Sequence, residues 1–251
     1  MGNWLMIDED LSTLIVGCSF VQNLTQPGYK INQKKWITKG SSGSGNQAIA
    51  ARVLHECAQE DYKEVIILWS GINRLDFPIG IPYHRTMLVD SSGNPKYGYY
   101  VVLDDVVWYH SGGWGSSGCL QDSPQWFRNW CQVQYKSSSQ KYLTDLTLQS
   151  IIQTQSFLKS QRIPYRMSFI YNIDVDYKKN HNKLERYIEP GCGKIDRSSS
   201  LIDLVDWTTF TTHKPPYEFA HEIDQLEDGF HPRFSAMNEW FKRAFSIDLT
   251  A

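Results

Sequence analysis

Thr13-Leu14-Ile15-Val16-Gly17-Cys18-Ser19-Phe20 is the stretch from which the rest of the chain is read. A short apolar run ending in glycine reads as a buried strand passing into a tight turn, with Ser19 at the strand's carboxyl end. Two further runs repeat the pattern. Glu64-Val65-Ile66-Ile67-Leu68-Trp69 is followed by Ser70-Gly71, and Arg166-Met167-Ser168-Phe169-Ile170-Tyr171 is entered from the helix breaker Pro164. Between the first two runs, residues 46–59 carry Ile49, Val53 and Leu54 among alanines 48, 50 and 51, which suits a helix packed against a sheet. Residues 142–161 place Leu146, Ile151, Ile152 and Leu158 at helical spacing over a length sufficient for a crossover, and residues 235–245 read as a closing amphipathic helix with Trp240, Phe241 and Phe245. Strands alternating with helices predict a parallel sheet. The expected fold is α/β, a flavodoxin-like three-layer α/β/α sandwich with a parallel central sheet, in which ligands collect outside the carboxyl ends of the strands.

Composition limits the function classes. A chain of 251 residues with 41% hydrophobic content can bury a substantial core, and one domain spanning residues 1–251 is expected. Lys and Arg total 25 against 27 Asp and Glu, so the net charge of -2 supplies no long-range attraction for nucleic acid. The start Met1-Gly2-Asn3-Trp4, followed by acids at 8, 9 and 10, lacks the basic and apolar regions of a secretory signal, and no run reaches the roughly 18 apolar residues of a membrane span. A soluble, cytoplasmic protein is expected. Five cysteines at irregular spacing, with no CxxC pair, fit a reduced compartment and give no zinc motif. Six of the seven histidines, His55, His84, His110, His181, His213 and His221, show no metal-ligand spacing, so neither metal nor cofactor is expected.

Two stretches stand outside this core. Residues 78–130 are rich in Gly, Ser, Tyr and Trp, with a hairpin-like alternation from Tyr97 to Tyr109 after the turn signal Ser91-Ser92-Gly93-Asn94-Pro95, and read as a β-rich, aromatic insertion. Their Trp108, Trp114, Trp126 and Trp130 form either a stacking platform for a sugar or the small core of the insertion. Residues 174–200 are polar, and Lys178-Lys179-Asn180-His181-Asn182-Lys183 reads as a solvated loop.

Four short blocks follow the strand ends in order. They are Gly17-Cys18-Ser19, then Gly43-Ser44-Gly45-Asn46 leading into a helix, then Gly71-Ile72-Asn73, then Asp228-Gly229-Phe230-His231-Pro232. Each block alone is a weak signal, and their order beside predicted element boundaries makes a stronger one. Taken together they resemble the sequence blocks of the SGNH hydrolases, also called GDSL esterases and lipases.

That resemblance implies a serine hydrolase. Ser19 would be the nucleophile, His231 the base and Asp228 the acid that orients the imidazole. The backbone N–H groups of Ser19 and Gly45 and the carboxamide of Asn73 would hold the oxyanion. Cys18 stands where the family usually has Asp, and it is itself a rival nucleophile, although the following serine is the position that matches. Arg74 and Asp76, beside Asn73, could touch substrate. Pairing with each other or with surface groups is the plainer reading. Arg74, Trp108 and Trp114 are the expected substrate contacts. The expected function is hydrolysis of a small-molecule or glycan ester, with an acetyl or other short acyl group on a carbohydrate favoured. A lipase or thioesterase with the same triad, and a non-catalytic glycan- or protein-binding module on the same scaffold, are the alternatives. The sequence leaves the oligomeric state open.

Overall fold

In chain order the elements of the computed structural model are β1 (Thr13–Gly17), α1 (Ser19–Gln22), β2 (Trp36–Gly40), α2 (Asn46–Gln59), β3 (Glu64–Trp69), β4 (Asp76–Gly80), β5 (Tyr100–Leu103), β6 (Val106–His110), α3 (Gln125–Ser137), α4 (Gln140–Ser160), β7 (Tyr165–Phe169), α5 (Pro216–Glu222), β8 (Leu226–Glu227), β9 (His231–Pro232) and α6 (Phe234–Phe245). The structure describes residues 11–26, 29–72, 74–80, 100–110, 125–173, 194–227 and 231–251.

Alternation along the strands sorts the core into two layers, because successive side chains of a strand point to opposite faces. Leu14, Val16, Val65, Ile67 and Trp69 face one way and pack with Ile49 and Val53 of α2 and with Leu148, Ile151 and Leu158 of α4. Ile15, Ile66 and Leu68 face the other way, toward Phe20 of α1 and Trp240, Phe241 and Phe245 of α6. The sheet between them is parallel, in the order β2-β1-β3-β7. This is the expected three-layer α/β/α arrangement. Truncating a side chain as large and as buried as Trp240 costs about 3–5 kcal/mol in such a core.

Strands β1 and β3 and helix α2 have the bounds read from the sequence, whereas α4 and α6 begin slightly earlier than expected and β7 covers Tyr165–Phe169. Strand β2 was not expected. Its five residues are half-buried at every position, so it shows neither a continuous apolar run nor a clean alternation.

Among its described residues the aromatic insertion, with the start of β4 just before it, forms a three-stranded antiparallel sheet, β4-β6-β5. Its ladder begins at Asp76, which pairs with His110, and Pro78 is tolerated because β4 is an edge strand. Asp104, at φ 52°, turns the chain between Leu103 and Val106. Val107 and Tyr109 of this sheet form a small core with Phe127 and Cys131 of α3. Residues 194–200 return to the main core, where Ile195 is buried and its N–H donates to Ile173 O at 2.8 Å. The basic run 178–183 lies outside the described residues.

Because the four central strands are parallel, their carboxyl ends at Gly17, Gly40, Trp69 and Phe169 share one edge. The segments that follow, beginning at Cys18, Ser41, Ser70 and Ile170, therefore gather there. Among the described residues no helix is long and apolar enough to cross a membrane.

Candidate functional site

Two glycines bring α1 down onto the sheet edge. A Cβ on Gly17 would stand 2.6 Å from Val21 Cγ2 and 3.1 Å from Leu68 O, and one on Gly40 would stand 2.1 Å from the backbone nitrogen of Gln22. Close approach, and not a left-handed turn, is what Gly17 supplies. Ser19 is the first residue of α1, and the Val21 and Gln22 N–H groups donate to Cys18 O at 3.0 and 3.1 Å. The serine is 6% exposed.

His231 reaches Ser19 from the other end of the chain. The two-residue strands β8 and β9 pair antiparallel, with Glu227 opposite His231. Tyr29 fixes this ribbon by donating its hydroxyl to Glu227 Oε1 at 3.1 Å and stacking its ring on Phe234 at 4.7 Å. His231 Nε2 then lies 3.0 Å from Ser19 Oγ, across a separation of 212 positions. Phe20 packs edge-on against the imidazole, with centroids 5.6 Å apart. A hydroxyl hydrogen-bonded to an imidazole nitrogen can pass it a proton as it attacks an electrophile.

Of the other expected site residues, Asp228, Asn73 and Trp114 lie outside the described residues. Cys18 is fully buried in the core beneath α1, with its sulfur 3.9 Å from Ser19 Oγ. Sulfur is a weak acceptor, so the imidazole is the better partner for that hydroxyl. Two other described thiols are unsuited to nucleophilic work, since burial pushes Cys57 and Cys131 up to about 12.

Comparison of the chain with models of known protein families, with characterised proteins and with solved structures finds no match.

The expected use of the Gly45 N–H as an oxyanion donor is not what the structure shows. That N–H donates to Asp76 Oδ1 at 2.8 Å, and the Ala48 N–H donates to Asp76 Oδ2 at 2.8 Å. Gly45 is the N-cap of α2 and has no side chain to cap with, so a carboxylate 31 positions away does the capping. Asp76 is therefore not a surface residue. It is 4% exposed, and Arg74, 6% exposed, is buried beside it, its carbonyl 2.7 Å from where a Gly45 Cβ would lie.

Asp76 also meets His110, whose Nδ1 lies 2.9 Å from Asp76 Oδ1 while its Nε2 lies 3.2 Å from Ser44 Oγ. Ser44, His110 and Asp76 thus have the connectivity of a hydrolytic triad, but they are only 3%, 0% and 4% exposed. His110 is fully sealed whereas His231 is half-buried, so of the two serine–imidazole pairs it is the one with Ser19 that opens toward solvent. No local signal links Ser44, His110 and Asp76, because only the pairing of β4 with β6 sets His110 opposite Asp76.

The tryptophans divide. Trp126 and Trp130 pack with Phe77 and Phe127 in the core of the insertion, at centroid distances of 4.8–5.7 Å. Trp108 instead lines a groove of about 520 Å³ between α2, α4 and the inserted sheet, and neither Ser19 nor His231 is among its walls.

Proposed function

We propose that the chain is a serine esterase that works through an acyl-enzyme, with Ser19 as nucleophile and His231 as general base. The observation that carries this reading is the 3.0 Å contact between Ser19 Oγ and His231 Nε2 at the carboxyl edge of a parallel sheet. The resemblance of the four sequence blocks to SGNH hydrolases supports it independently.

In the proposed reaction the Ser19 oxygen attacks the ester carbonyl while its proton passes to His231 Nε2. The resulting oxyanion collapses, the ester C–O bond breaks, and the departing alkoxide takes the proton from His231. Water, deprotonated by the same imidazole, then attacks the acyl carbon and releases the acid with Ser19 restored. Asp228 would orient the imidazole, and the Ser19 N–H and the Asn73 carboxamide would hold the oxyanion. The Ser19 N–H has no acceptor within α1 because it belongs to the first turn. Gly45 is left out of this set because its N–H is engaged by Asp76.

The favoured substrate is an acetyl or other short acyl ester on a carbohydrate. The experiment is acetate release from acetylated glycans beside a p-nitrophenyl ester series of rising chain length. The expected result is turnover of the short esters that falls by about four orders of magnitude or more in Ser19→Ala. Turnover confined to long chains would point to a lipase or thioesterase, and no turnover of any ester would point to a binding module.

A further inference from the structure

The capping carboxylate and the buried imidazole hold a loop, at Gly45 and Ser44, that itself touches the helix of Ser19. Residues 41–45 run from the end of β2 into α2. Ser41 N–H donates to Gly17 O at 3.4 Å, Ser42 Oγ donates to Gln22 Oε1 at 2.7 Å, and Ser44 Oγ also lies 2.9 Å from Ser41 O. One side of the loop thus rests on the turn that carries Ser19, and the other side is gripped by Asp76. His110 holds that carboxylate from the inserted sheet, on which α3 packs through Phe127 and the buried Cys131.

Burying a carboxylate is costly unless several donors compensate it. Here three do, namely the Gly45 and Ala48 amides and the His110 ring. A local Ser or Asp at the N-cap would cap α2 with less desolvation, so capping alone does not account for a sealed three-residue chain drawn from three elements. What this arrangement adds is a fixed relation between the inserted sheet, the 41–45 loop and the Ser19 turn.

We propose that Asp76, His110 and Ser44 are positioning residues for the Ser19 site: they lock the 41–45 loop against α1 and make the alignment of Ser19 depend on the inserted sheet. The proposal rests on Ser19 being the nucleophile. None of the three touches substrate. An error of about an ångström at a reacting group can cost of the order of a hundredfold in rate.

The test compares Asp76→Asn, Ser44→Ala, His110→Asn and His110→Ala with the wild type in two measurements. The first is amide hydrogen exchange at Gly45 and Ala48, which reads the lock without any activity. The second is the rate of fluorophosphonate labelling against probe concentration, which separates the maximal rate from the half-saturating concentration. Asn can keep a donor near the Nδ1 position while losing the contact at Nε2.

In Asp76→Asn the two amides should exchange at least about tenfold faster. Asp76→Asn and His110→Ala should label up to about a hundredfold more slowly at an unchanged half-saturating concentration, and His110→Asn should recover part of the loss. Ser44→Ala removes only a hydroxyl, so it keeps the test open if a carboxylate variant does not fold. Its maximal labelling rate should also fall. Unchanged amide exchange in Asp76→Asn overturns the lock. Faster exchange with wild-type labelling rates in all four variants shows a staple without consequence for Ser19 and overturns the proposal. A folded wild type whose Ser19 never labels, with faster amide exchange in Asp76→Asn, refutes the nucleophile reading, and the positioning role with it, while leaving the lock itself demonstrated.

Discussion

The ring of Phe20 meets the imidazole of His231 at an interplanar angle of 66° and a centroid distance of 5.6 Å. Phe20 is itself held by an edge contact with the buried Tyr171, at 5.7 Å. Since Phe20 directly follows Ser19, one short helix presents both the hydroxyl and the surface that limits the imidazole's rotation. Phe20→Leu keeps most of the apolar volume but loses the flat face. Its expected effect is a maximal rate lower by about tenfold with little change in apparent substrate affinity, measured on a short p-nitrophenyl ester. A parallel loss of stability greater than about 1.5 kcal/mol would show that packing dominates instead.

Glu218 gives a pH dependence whose sign can be worked out. Its Oε1 accepts the Asn172 N–H at 2.9 Å, yet burial outweighs that bond and pushes the carboxyl up to about 7 from its ordinary 4.5. Below pH 4.5 the folded and unfolded chains both hold the proton, so there is no difference between them. As pH rises from 4.5 to 7 the unfolded chain ionises first and stability falls. Above 7 the folded chain carries the full burial cost. Glu218→Gln keeps an acceptor oxygen and removes the charge. It should therefore be stabilising by up to about 2 kcal/mol at pH 8 and nearly neutral at pH 4.5, as read from chemical denaturation at the two pH values. An equal effect at both would contradict the assignment.

Gly40 is expected to tolerate no side chain. Alanine there would drive its Cβ into the Gln22 nitrogen at 2.1 Å, the Gln22 Cα at 2.7 Å and Cys18 O at 2.8 Å, all backbone atoms that cannot swing aside. Gly40→Ala should destabilise the protein by about 3 kcal/mol or more and displace α1 from the sheet. Thermal unfolding together with probe labelling checks this, and a variant with wild-type values in both would show that α1 sits farther from β2.

What the sequence disclosed, and what it withheld, follows from the range of the interactions. Strands β1 and β3 were legible because central parallel strands are apolar on both faces, as Ile15 and Val16 show by packing in opposite layers. Ser19 and His231 could be paired in advance only through the resemblance of their blocks to an SGNH series, and the folded chain sets them 3.0 Å apart. The start of α2 was readable at Asn46, but its cap was not. Gly45 carries no side-chain signal, and the capping oxygen belongs to Asp76. An acidic residue beside an arginine suggests a surface pair, and nothing local to Asp76 announces that it is buried. His110 was hidden for the same reason, since its partner follows from a strand register. Trp126 and Trp130, left open between a sugar platform and a core, proved to be core once the inserted sheet supplied the facing Phe77 and Tyr109.

The most direct measurement is to treat the folded protein with a fluorophosphonate probe and locate the adduct by peptide mass spectrometry, in the wild type and in Ser19→Ala, His231→Ala and Cys18→Ala. The expected result is a single adduct on Ser19 that persists in Cys18→Ala, disappears in Ser19→Ala and forms about a thousandfold more slowly or less in His231→Ala. A folded wild type that never reacts, or an adduct on any residue other than Ser19, would contradict the assignment of Ser19 and His231 as a reacting pair.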